Sequence, residues 1–277
     1  MTNQNRDHLK KVAALQMNSG ADVAANLELA DRLLGDAAAD GCVLAVLPEN
    51  FALMPARGRD KVQHAEQVGE GPIQAFLSAA ARQHSIWIVG GSIPLASPEP
   101  KRVYGACPVF DDAGNNLTVY RKIHLFDVDL PDSEQSYRES HSMFPGDAAI
   151  VVDTPVGKLG LTICYDIRFP ELYRQLLDAD ASLFSVPAAF TVLTGEAHWH
   201  TLLRSRAIEN LAYVVAAGQY GDHPDGRSTF GHSLIVDPWG QVLAELPEGN
   251  GHVAAEIDAA KQANLRTDFP ALINRRL

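Results

Sequence analysis

Cysteine is scarce in this chain: Cys42, Cys107 and Cys164 are the three among 277 residues. Their odd number and wide spacing exclude a disulfide framework and a Cys-x-x-Cys metal site, so a reducing cytoplasm is the expected setting. Long apolar runs are also lacking, since stretches such as 211–218 fall far short of the ~20 residues that span a bilayer. Basic charge is outweighed, with 23 Lys and Arg against 34 Asp and Glu and a formal net charge of −11. That balance, with no basic stripe to offset it, argues against nucleic acid or an anionic membrane as a partner. The polar segment 1–11 has no apolar core and reads as a flexible N-terminus rather than a secretory signal. No Gly/Ser-rich or Pro-rich linker, repeat or low-complexity segment divides the chain.

What is present fits a globular protein. Hydrophobic residues make up 46% and charged residues 21%, enough apolar surface to offset the entropy of ordering the backbone. Short apolar runs alternate with helical patterns. Residues 12–16 and 43–47 read as buried strands around a helix at 22–39, whose Val23, Leu27, Ala30, Leu33 and Leu34 recur at helical spacing. A second helix, 72–83, opens on Pro72, and a strand follows at 86–90. Strands 103–110 and 117–122 flank the turn Asp111-Asp112-Ala113-Gly114. Residues 123–147 show no periodicity and read as a functional or mobile loop. The second half gives strands at 149–154, 158–164, 183–187, 212–219, 233–237, 242–246 and 252–257, with helices at 170–179 and 196–210. About twelve strands with interspersed helices predict one α/β domain over 1–277.

Three polar residues stand at the carboxyl ends of three predicted strands: Glu49, Lys122 and Cys164. Ligands of open α/β sheets bind at that edge. Each residue has an ordinary reading taken singly: Glu49 as a capping acid, Lys122 as a solvated side chain, any one cysteine as a small buried hydrophobe. Their shared placement favours a carboxylate, an ammonium and a thiol converging on one site. Cys164 also lies on a sharp strand-to-helix passage with Pro170 at a first helical position, a geometry that presents nucleophiles and, through the helix dipole, favours thiolate. Cys42 and Cys107, beside apolar strand residues, read as core.

The segments Leu47-Pro48-Glu49-Asn50-Phe51, Tyr120-Arg121-Lys122-Ile123-His124-Leu125 and Cys164-Tyr165-Asp166-Ile167-Arg168-Phe169-Pro170-Glu171 together resemble the nitrilase, or carbon–nitrogen hydrolase, superfamily. The resemblance runs from Val12 to about Arg276. It implies an α-β-β-α sandwich of two six-stranded sheets and a catalytic triad carried by Glu49, Lys122 and Cys164. Further segments, among them Ala197-His198-Trp199, 204–210 and Gly231-His232-Ser233, resemble the branch of deaminated-glutathione amidases and ω-amidases. The resemblance also assigns Glu139 to hold Lys122 and the substrate, where it would otherwise read as a solvated loop acid.

The implied chemistry is acyl transfer through a Cys164 thioester, with Glu49 moving the protons and Lys122 and the Tyr165 N–H facing the oxyanion. No metal or organic cofactor is implied, and the ten histidines show no metal-ligand spacing. Arg168 is a candidate anchor for a substrate carboxylate, or else an ion-pair partner of Glu171 or Asp166. Phe190 either walls the pocket or packs in the core. Tyr104, His124 and Arg227 are further substrate-contact candidates with equally ordinary structural readings.

Asn50 and Gly105 depart from residues common in relatives, and at 105 a polar contact is expected to be missing or supplied from elsewhere. The leading expectation is an amidase for a small anionic amide such as deaminated glutathione. The alternatives are an ω-amidase for 2-oxoglutaramate, another carbon–nitrogen hydrolase such as one acting on carbamoylputrescine, or a non-catalytic metabolite-binding or interaction protein. Leu172, Leu176, Leu177, Leu202, Leu203 and Ile208 could serve a homodimer or pack on the sheets.

Overall fold

In the computed structural model, which describes residues 9–55, 58–130 and 136–276, the first strand, β1 (Leu9–Gln16), is buried from Val12 to Gln16. A strand covered on both faces is a near-continuous apolar run instead of an alternating one. The chain continues through α1 (Val23–Ala39), β2 (Cys42–Val46), α2 (Gly58–Gln63), α3 (Pro72–His84), β3 (Trp87–Val89), β4 (Ile93–Ala96), β5 (Val103–Phe110) and β6 (Asn116–Arg121). A short hairpin of β7 (Asp127–Asp129) and β8 (Ser136–Arg138) precedes β9 (Val151–Thr154) and β10 (Gly157–Leu161). Next come α4 (Pro170–Asp178), β11 (Leu183–Ala188), α5 (Val192–Asn210) and β12 (Tyr213–Gly218). The hairpin β13 (Tyr220–Asp222) and β14 (Ser228–Phe230) leads to β15 (Ser233–Val236), β16 (Val242–Leu246), β17 (Gly251–Asp258) and α6 (Ala259–Asp268).

Two sheets form the centre. One has the order β17-β1-β2-β3-β5-β4, with β6 also paired to β5; the other has the order β16-β15-β12-β11-β10-β9. Val12, Ala14, Leu44 and Val46 of the first sheet pack into one cluster with Leu161, Val186, Val214 and Ala216 of the second. The intervening residues Ala13, Leu15, Ala45 and Leu47 face the other way, onto Ala30, Leu33 and Leu34 of α1 and Leu77 and Ala81 of α3. On the far side, Leu172 and Leu176 of α4 and Trp199 and Leu203 of α5 cover the second sheet. The result is a four-layer α-β-β-α sandwich. Helix starts follow local chemistry: Asp22 caps α1 by accepting from Ala24 N at 2.9 Å and Ala25 N at 3.2 Å, and Pro72 and Pro170 open α3 and α4.

Several expectations change. The first sheet has seven strands, not six. The extra one is β4, which carries Pro94 and lies at the sheet edge, where a missing N–H is tolerated. Residues 9–11 are not a flexible tail: β1 pairs with β17 from Leu9↔Asp258 to Gln16↔Gly251. Residues 1–8 lie outside the described residues. The loop 123–147 contains the β7–β8 hairpin and a turn of 3-10 helix at Glu139–His141. Leu172, Leu176 and Leu203 are fully enclosed in their own core, so they pack on the sheets, while Ile208 is 47% exposed. Among the described residues no helix is long and apolar enough to cross a membrane.

Candidate active site

The chain leaves β2, β6 and β10 at one edge of the sandwich, and each exit delivers one polar side chain. After β2, the backbone turns at Asn50, whose φ of 58° lies in the left-handed region that asparagine tolerates better than most residues. Its N–H is held by Ser92 Oγ at 2.9 Å. The turn aims Glu49 into a cavity of about 550 Å³. Glu49 Oε1 accepts from Lys122 Nζ at 2.8 Å and Oε2 accepts from Ala189 N at 2.9 Å, so both carboxylate oxygens are fixed. Gln219 Nε2 holds the Glu49 carbonyl at 3.0 Å.

Lys122 leaves β6 with its N–H on Gly105 O at 2.8 Å, and only 2% of it is exposed. Its ammonium bonds Glu49 and both oxygens of Glu139, each at 2.9 Å. Glu139 is itself held by the Phe126 N–H at 2.7 Å. Burial works against the ammonium, but the charges of Glu139 and Glu49 outweigh it and raise the Lys122 pKa well above its ordinary value. A lysine held this way is a permanent cation and no proton acceptor. At Gly105 a side chain would meet the Met143 Cε methyl at 2.6 Å, so Met143 occupies the space a residue 105 side chain would use.

Cys164 opens a single turn of 3-10 helix, Cys164–Arg168, at φ 47°, a conformation rare outside glycine. Asp166, fully buried, keeps that turn in place: its carboxylate accepts from Ile163 N at 2.8 Å, Tyr120 Oη at 2.7 Å and His124 N at 3.1 Å. Its Oδ1 also lies 2.7 Å from His124 Nδ1. Asp166 thus ties the turn bearing the thiol to the strand bearing the lysine. The expected thiolate is not the resting state. Burial and the Glu49 charge push the thiol well above its ordinary pKa, with Lys122 opposing. The helix dipole fails to prevail because Cys164 opens a short 3-10 turn and α4 starts only at Pro170.

Glu49 responds in the opposite sense. Burial raises its carboxyl, but the Lys122 charge and hydrogen bond, the Lys61 charge and a hydrogen bond from the Cys164 thiol outweigh that and leave it below the ordinary carboxylate value. The resting pair is a carboxylate facing a thiol, as a general base and its nucleophile require.

Of the remaining candidates, Glu139, Tyr165, Arg168, Phe190 and Arg227 line the cavity with the three central residues. Arg168 makes no ion pair with Glu171 or Asp166; its nearest polar partner is His198 Nδ1 at 3.3 Å, and its guanidinium lies 5.3 Å from the Phe190 ring. Phe190 also packs 4.8 Å from Trp199, so its wall and core roles coincide. Arg227 is bonded to Asp225 Oδ2 at 2.5 Å. Tyr104 and His124 are placed elsewhere. Tyr104 packs on Phe144 and under Arg121, and His124 stacks on Phe169 at 3.7 Å while bonded to Asp166. Neither side chain lines the cavity.

Sequence reasoning passed over Lys61, Asp166 as the anchor of the thiol turn, and Ala189. Lys61 sits in Arg59-Asp60-Lys61, which reads as ordinary surface charge, yet it is 9% exposed and lines the cavity. Histidine spacing also hid a cluster away from the cavity: His200, His232 and Glu245 bring one potential ligand atom each within 4.8 Å of the others. Both imidazoles approach the same Glu245 oxygen, at 2.8 and 2.5 Å, so hydrogen bonding alone accounts for their convergence.

Comparison with known proteins identifies the family. The carbon–nitrogen hydrolase family model matches residues 11–267. The deaminated glutathione amidase of Yersinia enterocolitica is 41% identical over 266 residues, covering 96% of this chain and 92% of that protein. The human deaminated glutathione amidase is 38% identical over 272 residues, covering 97% and 83%. The crystal structure of Saccharomyces cerevisiae Nit3, a member of branch 10 of the nitrilase superfamily, superposes with a TM-score of 0.87 at 32% identity, covering 98% of this chain and 97% of that one. The chain belongs to the carbon–nitrogen hydrolase family and is an amidase that acts on carbon–nitrogen bonds other than peptide bonds.

Proposed function

We propose that the chain, as one domain, hydrolyses deaminated glutathione through a Cys164 thioester, with Glu49 and Lys122 completing the triad. The observation that carries this reading is the buried Glu49 carboxylate, bonded to the Lys122 ammonium at 2.8 Å and lining one cavity with the Cys164 thiol and with Arg168, which has no carboxylate partner among the described residues. Glu49 takes the thiol proton as sulfur attacks the amide carbonyl. The tetrahedral oxyanion is met by the Lys122 ammonium and by the Tyr165 N–H. That N–H lies in the first turn of its 3-10 helix, ahead of any intrahelical bond. The carbon–nitrogen bond breaks as Glu49 returns the proton to the departing amine. Water then attacks the thioester while Glu49 takes its proton, releasing the acid and the thiol. Glu139 holds the Lys122 ammonium in place throughout. None of these steps calls on a metal or an organic cofactor.

Arg168, at the thiol side of the cavity, suits a substrate carboxylate on the acyl half, which a guanidinium grips bidentately. The same feature disfavours a cationic amide such as carbamoylputrescine. Activity also sets the chain apart from a non-catalytic binding protein on the same scaffold. The reading carries with it a cytoplasmic location, no nucleic-acid or membrane partner, and a homodimer or larger homo-oligomer, for which exposed Leu193, Ile208 and Trp239 supply apolar surface. Steady-state hydrolysis of deaminated glutathione and 2-oxoglutaramate tests the substrate. The expected result is a higher kcat/KM for deaminated glutathione; a tenfold preference for 2-oxoglutaramate would make the chain an ω-amidase instead.

A further inference from the structure

Five cationic side chains line the cavity: Lys61, Lys122, Arg138, Arg168 and Arg227. Lys122 is bonded to Glu49 and Glu139, Arg138 to Asp129 and Arg227 to Asp225. Among the described residues, Lys61 and Arg168 have no carboxylate in ion-pair contact. Lys61 is the more demanding case, because it is nine-tenths buried on the short α2 and its ammonium has no hydrogen-bond partner among the described residues. A cation largely withdrawn from water, with no carboxylate in contact, favours an anion brought into the cavity it lines.

The two cations stand on different flanks of the nucleophile. Arg168 lies on the thiol turn, 5.8 Å from the Tyr165 ring and 5.3 Å from the Phe190 ring and bonded to His198 of α5, whereas Lys61 comes from α2, which packs against β4 of the other sheet. Glu49 hands its proton to the departing amine, so the leaving half of the substrate lies on the Glu49 flank, toward Lys61 and Arg227. Arg227 spends its Nε on Asp225, leaving Lys61 as the free charge of that flank.

We propose that Lys61 is a specificity-determining residue that binds a carboxylate on the leaving-amine half of the substrate, while Arg168 binds the carboxylate on the acyl half. The ligand class is an amide with one carboxylate on each side of the scissile bond. This inference rests on the amide-hydrolysis reading above and deepens it. Deaminated glutathione belongs to that class, since its leaving group is a dipeptide with a free carboxylate. 2-Oxoglutaramate shares the acyl half but releases ammonia.

The test is kcat/KM for both amides with wild type, Lys61→Met and Lys61→Arg. Lys61→Met is expected to lower the ratio of kcat/KM for deaminated glutathione over 2-oxoglutaramate by about tenfold or more, chiefly through KM, and Lys61→Arg to restore most of it. The melting temperature reports folding of each variant, independently of both rates. A ratio unchanged in Lys61→Met overturns the proposal: an equal loss on both amides makes Lys61 a counter-charge for Glu49 and Glu139, and no loss leaves it without a role in binding. Wild type inactive on both amides overturns the hydrolysis reading itself, and the proposal with it.

Discussion

Cys164→Ala is expected to lower amide hydrolysis by at least roughly 10⁴-fold, the scale on which hydrolases fail when the nucleophile of a triad is removed. Nothing else in the cavity replaces it. The substitution removes one buried sulfur from a turn held by Asp166, so the fold is expected to persist, with a melting temperature near that of wild type. Cys42→Ala is the matched control. Its sulfur lies outside the cavity, in the core beside α1, and burial pushes that thiol up to about 11, so the variant is expected to retain turnover. Steady-state rates of the two variants on one amide decide the assignment. Hydrolysis near the wild-type rate in Cys164→Ala would remove the thioester from the mechanism.

Glu49→Gln is expected to reduce kcat by about 10²–10⁴-fold, the contribution of a positioned general base. The amide preserves size and can still accept from Ala189 N, but it takes no proton from the thiol. The wild-type acid limb follows from the same group. Glu49 titrates below its ordinary value near 4.5, so kcat/KM is expected to hold through that pH and fall only below it, as the carboxylate protonates. Stability moves in the same direction. A carboxyl whose folded pKa is depressed contributes stability above its unfolded pKa, and that contribution is lost as pH falls through the folded value. Glu49→Gln is expected to abolish the acid limb. A limb that persists in the variant would assign it to another group.

The parts of this architecture carried by local pattern were legible in the chain. Strands covered on both faces, such as β1 and β12, are continuous apolar runs, and α1 announces itself through Asp22 and its helical spacing. The segments that escaped notice are those whose form depends on distant partners. β4 owes its place to pairing with β5 despite Pro94, and the three-residue strands β7, β8, β13 and β14 are too short to show a period. α6 buries Gln262 rather than an apolar stripe, so no hydrophobic spacing marks it.

The candidate site divides in the same way. Strand ends brought Glu49, Lys122 and Cys164 into view because sequence position alone aims them at one edge. Lys61 and Asp166 acquire their roles from tertiary contacts. Asp166 reads as a helix-start acid until Tyr120 and His124 converge on it from a segment more than forty residues earlier. His124 is one of the substrate-contact candidates, with an ordinary structural reading beside it. Its ring turns to Asp166 and Phe169, which is the structural reading and makes it a support of the turn bearing Cys164. The thiolate expectation failed for an energetic reason, since local dipole reasoning omits both the burial of Cys164 and the charge of Glu49 beside it.

The central claim is a covalent acyl-enzyme on Cys164, and intact-mass measurement tests it directly. Wild type exposed briefly to deaminated glutathione and quenched in acid is expected to gain the mass of one 2-oxoglutaryl group, located by peptide mapping to Cys164 and absent from Cys164→Ala. An adduct on another residue, or unmodified wild type sampled during turnover together with an active Cys164→Ala, would contradict the account.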